Sequence, residues 1–222
     1  MDPLEPSAGT SREARGAPTP RRTPGAPRLA YALAGDAGPP VLLVMGLGMR
    51  GLVWRPQIDA LRPDHRVATF DHRGVGESEP APGPFTLADL VADALRVLDA
   101  LDWPSAHVVG VSMGGMVAQE LALAAPARVR SLALIATHAG GPGAWRIPLG
   151  GLARFLAVNV GRDAERFAAL AALLYPQDFL RSFDRDALLA RMREHLGGRA
   201  PARTRPPQKR AGMKHDARAR PP

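Results

Sequence analysis

The chain has 222 residues, 45% of them hydrophobic, enough to bury a substantial core, and no cysteine, which excludes disulfides, thiolate catalysis and cysteine-ligated metal sites and suits a reducing cytoplasm. The net charge of +8 lies almost entirely after residue 198, in a stretch with no aromatic residue to stack on a base, so it does not describe a specific nucleic-acid-binding domain. No apolar span approaches the roughly 20 residues of a membrane helix and no signal-peptide core is present, so neither a membrane span nor secretion by the usual route is indicated.

Residues 1–27, rich in Pro, Ala, Gly and Arg, read as a disordered arm. The run from Pro40 to Met45 is continuously apolar, as in a strand buried on both faces. It opens into Gly46-Leu47-Gly48-Met49-Arg50-Gly51, a flexible loop able to present a backbone donor, followed by a helix over 52–61. A second strand over 66–70 ends in Asp71-His72-Arg73-Gly74-Val75-Gly76-Glu77-Ser78. Thr86 and Asp89 then form a capping box for a helix whose Leu87, Leu90, Val91, Ala94, Leu95, Leu98 and Leu101 share one face.

The most informative segment follows. Ala106-His107-Val108-Val109 is strand-like, Met116 to Ala125 is helix-forming and closed by Pro126, and between them lies Gly110-Val111-Ser112-Met113-Gly114-Gly115. Strand, sharp turn and helix are the context of a nucleophile elbow, although a bare Gly-x-Ser-x-Gly also occurs as an ordinary turn. At an elbow the serine backbone is strained and its neighbours must be very small, which Gly110 and Gly114 supply. The Met113 N–H then points from the helix N-terminus to where an oxyanion would form. One more strand, 129–136, completes an alternation of strands and helices that implies a parallel sheet covered on both faces.

In this order, the apolar strand with its Gly-rich loop, the Asp-x-Arg-Gly-x-Gly-x-Ser segment and the Ser-Met-Gly-Gly elbow resemble the α/β-hydrolase superfamily over about residues 28–198. The resemblance implies an α/β fold with a doubly wound, mostly parallel sheet and a helical cap. It divides the chain into the arm 1–27, a core over 28–138, a cap over 139–198 and a basic, Pro- and Arg-rich disordered tail over 199–222. It makes Ser112 the nucleophile and the backbone N–H groups of Leu47 and Met113 the oxyanion hole. Met45-Gly46 stands where the family often has His-Gly, a departure of small weight because the donor is a main-chain group. Asp71 and Arg73 become structural braces of their loop, and no cofactor or metal is implied.

In this family the triad acid and histidine follow the serine on later strands, yet no Val/Ile/Leu run appears after residue 196. His215-Asp216, with Arg218, resembles the His-Asp-x-Arg segment that precedes the next core strand, and it makes a poor dyad without a strand to hold it. The last core strands, and the triad partners with them, are therefore expected to be missing, as in a truncation or frameshift product. His138 lies just past a strand end on the ligand side of the sheet, and with Gly46 it is a candidate pocket residue. Within the cap, helices are expected over 151–160, 163–175 and 184–196. Leu152, Phe155, Leu156, Phe167, Leu170 and Leu174 serve either as a pocket roof or, more simply, as packing.

Three readings follow. The first is a serine hydrolase acting on a small ester, thioester or lactone through an acyl-enzyme on Ser112, impaired because a serine without a base is a weak nucleophile. The second is a non-catalytic module that keeps the pocket, and the third a protein that engages nucleic acid or a membrane surface through its basic tail. The serine excludes the branches that use an aspartate nucleophile, and Ser-Met-Gly-Gly-Met also resembles enol-lactonases and cofactor-free haloperoxidases. An unfinished sheet would expose an apolar edge and promote self-association.

Overall fold

The computed structural model describes residues 21–141, 144, 163–182, 184, 186–190, 208, 210–212 and 215–218. Its centre is a six-stranded sheet. The strands are β1 (Arg21–Arg22), β2 (Ala30–Ala34), β3 (Pro40–Val44), β4 (Arg66–Phe70), β5 (Ala106–Val111) and β6 (Val129–Ile135), in the order β1-β2-β4-β3-β5-β6. β4, β3, β5 and β6 run parallel, and β1 and β2 add an antiparallel edge. The helices are α1 (Arg55–Leu61), α2 (Leu87–Ala100), α3 (Met113–Ala124), α4 (Asp163–Leu174) and α5 (Gln177–Ser182).

Because β3 is central, alternate residues serve two cores, as the continuous apolar run requires. Leu42 and Val44 pack with α2 and α3 against Leu90, Leu98, Val117 and Leu121, while Val41 and Leu43 pack with Trp54 and Ile58 around α1. The α2 N-terminus carries the expected capping box: Asp89 N–H donates to Thr86 Oγ1, and Thr86 N–H donates to the Asp89 carboxylate at 2.7 Å. Leu87, Leu90, Val91, Ala94 and Leu98 are buried, with Leu95 and Leu101 packed at the margin.

Part of the segment read as a disordered arm is built into the sheet. Arg21 pairs with Tyr31 and Arg22 with Ala30, Thr23 and Pro27 are buried, and Leu29 N–H donates to Thr23 Oγ1 at 3.0 Å. A two-residue ladder carries no hydrophobic period, so the composition of the arm concealed it.

At the opposite edge β6 is exposed along nearly its whole length, including Leu132, Leu134 and Ile135, and among the described residues no strand pairs on its far side. Beyond it, Phe167, Leu170, Ala171, Leu188 and Leu189 bury one another in a separate small cluster. Of the segment proposed as a cap, the helix expected over 151–160, with Leu152, Phe155 and Leu156, lies outside the described residues. Leu174 is exposed.

The stretch read as a disordered basic tail packs where it is described. Residues 208 and 210–212 are helical, and Gln208, Ala211 and His215 are buried. Gly212 lies against α3, where a Cβ would come within 3.6 Å of Met116 Sδ. Arginine-rich composition hides such a contact because only one or two side chains per turn make it. Among the described residues no helix is long and apolar enough to cross a membrane.

Candidate active site

Ser112 stands between β5 and α3 with φ 54° and ψ −121°. A non-glycine residue at positive φ costs on the order of 1–3 kcal/mol and persists only where its surroundings enforce it. Here they do: Ser112 N–H donates to Ile135 O at 2.9 Å, and Ser112 O accepts from Gly115 N–H at 2.9 Å and Thr137 Oγ1–H at 2.8 Å. The side chain is exposed at the C-terminal end of the parallel strands, and among the described residues its Oγ makes no hydrogen bond.

The glycines around it are required by contact. A Cβ on Gly110 would strike Gly114 O, one on Gly114 would strike Val44 O and lie 2.6 Å from Met45 O, and one on Gly115 would come within 2.6 Å of Thr137 Cγ2. None of the backbone groups can yield without moving the turn, so α3 lies directly on the end of β3. Gly46 belongs to the same assembly, since a Cβ there would sit 3.4 Å from Ser112 Cβ and 3.9 Å from Ser112 Oγ. The loop after β3 therefore faces the serine hydroxyl. Leu47 follows in a turn closed by Met49 N–H donating to Gly46 O at 3.4 Å, and Met113 is the first residue of α3, where a backbone N–H has no intrahelical partner. Leu47 and Met113 thus belong to the two segments, the loop after β3 and the first turn of α3, that meet beside the serine.

Asp71 and Arg73 hold loops together. Asp71 Oδ1 accepts from Gly51 N–H at 2.7 Å and Oδ2 from Glu77 N–H at 2.9 Å. Arg73 makes a two-pronged pair with Asp93 of α2, at 2.6 and 2.9 Å, and Asp93 is fully buried. Between them His72, also fully buried, donates from Nε2 to Met45 O at 2.8 Å. This residue had no signal in the sequence, because its partner lies 27 positions away and its motif marks only the flanking Asp and Arg.

Two further histidines, His138 and His215, sit beside the elbow helix. His138 is half-buried, its Nδ1 accepts from Gly140 N–H at 3.0 Å, and burial together with the nearby His215 holds its pKa below the ordinary 6.5. The two rings are 6.2 Å apart. His215 Nδ1 lies 3.1 Å from Glu120 Oε1 of α3, and Asp216 bonds to Arg218 at 2.9 Å, which draws its carboxyl down to about 2. His215 and Asp216 thus engage Glu120 and Arg218 rather than each other, and an antiparallel bridge between Asp216 and Gly140 ties the segment to the exit from β6. A cavity of about 400 Å³ lies between Phe85, Leu87, Glu120 and His215, and Ser112 does not line it. Among the described residues no group of His, Asp and Glu is arranged to hold a metal ion.

Residues 39–210 match the family model of the α/β hydrolase fold. A solved hydrolase from Pseudomonas aeruginosa PA01 superposes with a TM-score of 0.72 and 33% sequence identity, covering 92% of this chain and 76% of that one. The enol-lactonase from Burkholderia xenovorans LB400 gives a TM-score of 0.65 at 27% identity, over 87% of this chain and 73% of that one. RutD of Azorhizobium caulinodans, provisionally named a carbamate hydrolase, is 45% identical over 114 residues, which are 47% of this chain and 43% of that protein. The match thus spans less than half the length of that curated relative. The fold, the strand order around the elbow and the family model agree: the chain belongs to the α/β-hydrolase fold family.

Proposed function

We propose that this chain is a serine hydrolase of small acyl substrates, an ester, thioester or lactone, in which Ser112 Oγ attacks the carbonyl carbon and the Leu47 and Met113 N–H groups receive the oxyanion. The observation that carries this reading is the strained Ser112 backbone held against the Gly46 loop, at the start of a helix whose first N–H groups have no intrahelical partner. Attack forms the Ser112 Oγ–C bond as the serine proton passes to solvent water; collapse breaks the C–O or C–S bond to the leaving group, which takes a proton from water as the alcohol or thiol, and a second water then attacks the acyl carbon, releasing the acid and returning a proton to Ser112 Oγ.

Among the described residues no imidazole is hydrogen-bonded to Ser112 Oγ, and a serine that attacks without such a base is a weak nucleophile. An oxyanion hole and binding alone retain on the order of a thousandfold over water. The carbamate-hydrolase name of RutD and the lactonase activity of the Burkholderia protein support C–O or C–N acyl cleavage as the reaction class. A Ser112 Oγ with no hydrogen-bonded base among the described residues favours a second reading, a pocket that binds an acyl compound without turning it over. Hydrolysis of p-nitrophenyl butyrate separates the two. Slow turnover above the buffer rate, abolished in Ser112→Ala, supports the hydrolase, and equal rates for both proteins overturn it in favour of binding.

A further inference from the structure

We propose that His72 is a positioning residue: its Nε2–H grips the Met45 carbonyl and thereby sets the loop that offers the Leu47 N–H to an oxyanion at Ser112. This inference deepens the acyl-hydrolase reading and rests on it.

The geometry is a clamp built by two consecutive residues. His72 Nε2 is 2.8 Å from Met45 O, at the start of the loop, and Asp71 Oδ1 is 2.7 Å from Gly51 N, at its end. The Thr69 Oγ1–H is shared between Leu43 O at 3.2 Å and Gly51 O at 3.3 Å. Both ends of the loop are therefore fastened to the C-terminal end of β4, and the span between them carries Gly46 and Leu47. A carbonyl only accepts, so the His72 proton is on Nε2 and Nδ1 is a bare nitrogen, buried without a partner among the described residues. The ring stands edge-on to Phe70 at 5.1 Å between centroids, and burial holds it neutral despite the nearby Asp71 and Asp93 carboxylates. A phenyl ring would fill the same space without burying an unpartnered nitrogen. What the imidazole adds is the bond to Met45.

That bond acts beyond its own partner. The peptide unit from Met45 to Gly46 is planar, so fixing the Met45 oxygen fixes the direction of the Gly46 N–H and the entry into the turn that displays Leu47. On its other side the same oxygen lies against Gly114, where an added Cβ would approach to 2.6 Å. The Met45 carbonyl is thus lodged between His72 and the first turn of α3, and its position links the loop donor to the helix donor. Displacing it shifts one donor relative to the other, and two donors serve one oxyanion only when both distances are right.

The test compares His72→Phe, His72→Gln and His72→Asn in the full chain, reading backbone amide hydrogen exchange. Glutamine carries its amide nitrogen close to the Nε2 position, whereas asparagine stops short of it. His72→Phe and His72→Asn are expected to speed exchange at the hydrogen-bonded loop amides of Met49 and Gly51 by about tenfold or more, and His72→Gln to stay within about threefold of the parent, with α2 amides unchanged in all three. Should the phenylalanine variant fail to fold, the Gln and Asn pair decides alone. Unchanged loop exchange in His72→Asn, or equal exchange in Gln and Asn, overturns the proposal. Fluorophosphonate labelling of Ser112 links the clamp to chemistry: labelling slowed about tenfold in His72→Asn and restored in His72→Gln supports it, and measurable labelling at the same rate in parent and variants overturns it. A parent protein whose loop exchange follows this order while Ser112 takes no label refutes the acyl-hydrolase reading and leaves the clamp in place.

Discussion

Replacing Gly114 by alanine tests the tightness of the elbow, because two physical effects predict opposite signs. Gly114 lies in the first turn of α3, where helix propensity alone favours alanine over glycine by about 1 kcal/mol. The contacts say otherwise: the new Cβ would strike Val44 O, lie 2.6 Å from Met45 O and 2.7 Å from Val44 C, and all three are backbone atoms of the central strand and its exit. Relieving them requires α3 and β3 to part by up to about 1 Å, and overpacking of this kind costs about 1–3 kcal/mol. Net of the propensity gain, we expect destabilisation by up to about 2 kcal/mol, which for a chain of this size lowers Tm by up to roughly 8 °C. Gly83→Ala is the internal control, since nothing lies within 4 Å of its missing Cβ, and it is expected to be neutral or stabilising by up to about 1 kcal/mol. Thermal unfolding of the two variants by circular dichroism decides. If Gly114→Ala melts above the parent temperature, the close β3–α3 contact at the elbow is wrong.

Further outcomes follow from the same contacts. Arg73→Leu leaves the Asp93 carboxylate buried with only Arg96, 3.4 Å away, to meet it, and should cost about 3 kcal/mol in urea unfolding, while Arg73→Leu/Asp93→Leu recovers most of that loss; equal loss in both would refute a buried pair. Thr86→Ala removes the α2 cap and should cost about 1 kcal/mol by the same assay. His72 has a folded pKa below 6.5, so its contribution to stability is present above pH 6.5 and is lost as pH falls from there through the folded value. His72→Gln should flatten this acid limb, and an unchanged pH profile would count against a buried neutral ring. The apolar β6 edge is expected to drive association, so Leu134→Lys should move the protein toward monomer in size-exclusion chromatography; a parent already monomeric removes that expectation.

The sequence reveals the elements whose physics is local. The run at 40–45, the Thr86/Asp89 box and the periodic face of α2 each announce themselves within one or two turns, and the structure places them accordingly. The elbow is legible because glycine on both sides of a serine between a strand and a helix answers a steric need, and the contacts at Gly110 and Gly114 show that need directly. What was not legible depends on residues far apart in the chain. β2 lies among short Ala-rich segments with no alternation, and β1 pairs through only two residues. The burial of His215 against Glu120 spans 95 positions and lies in a stretch whose arginines suggested solvent. His72 was passed over because a buried histidine between two recognised loop braces has no periodicity of its own, and only the fold brings Met45 to it.

The account depends most on Ser112 being the group that attacks. Treating the full chain with a fluorophosphonate probe and mapping the adduct by peptide mass spectrometry tests this directly. The account predicts a slow, stoichiometric adduct on Ser112 alone, absent from Ser112→Ala and from protein unfolded before treatment. An adduct confined to another serine, or none after prolonged exposure of the folded chain, would contradict it.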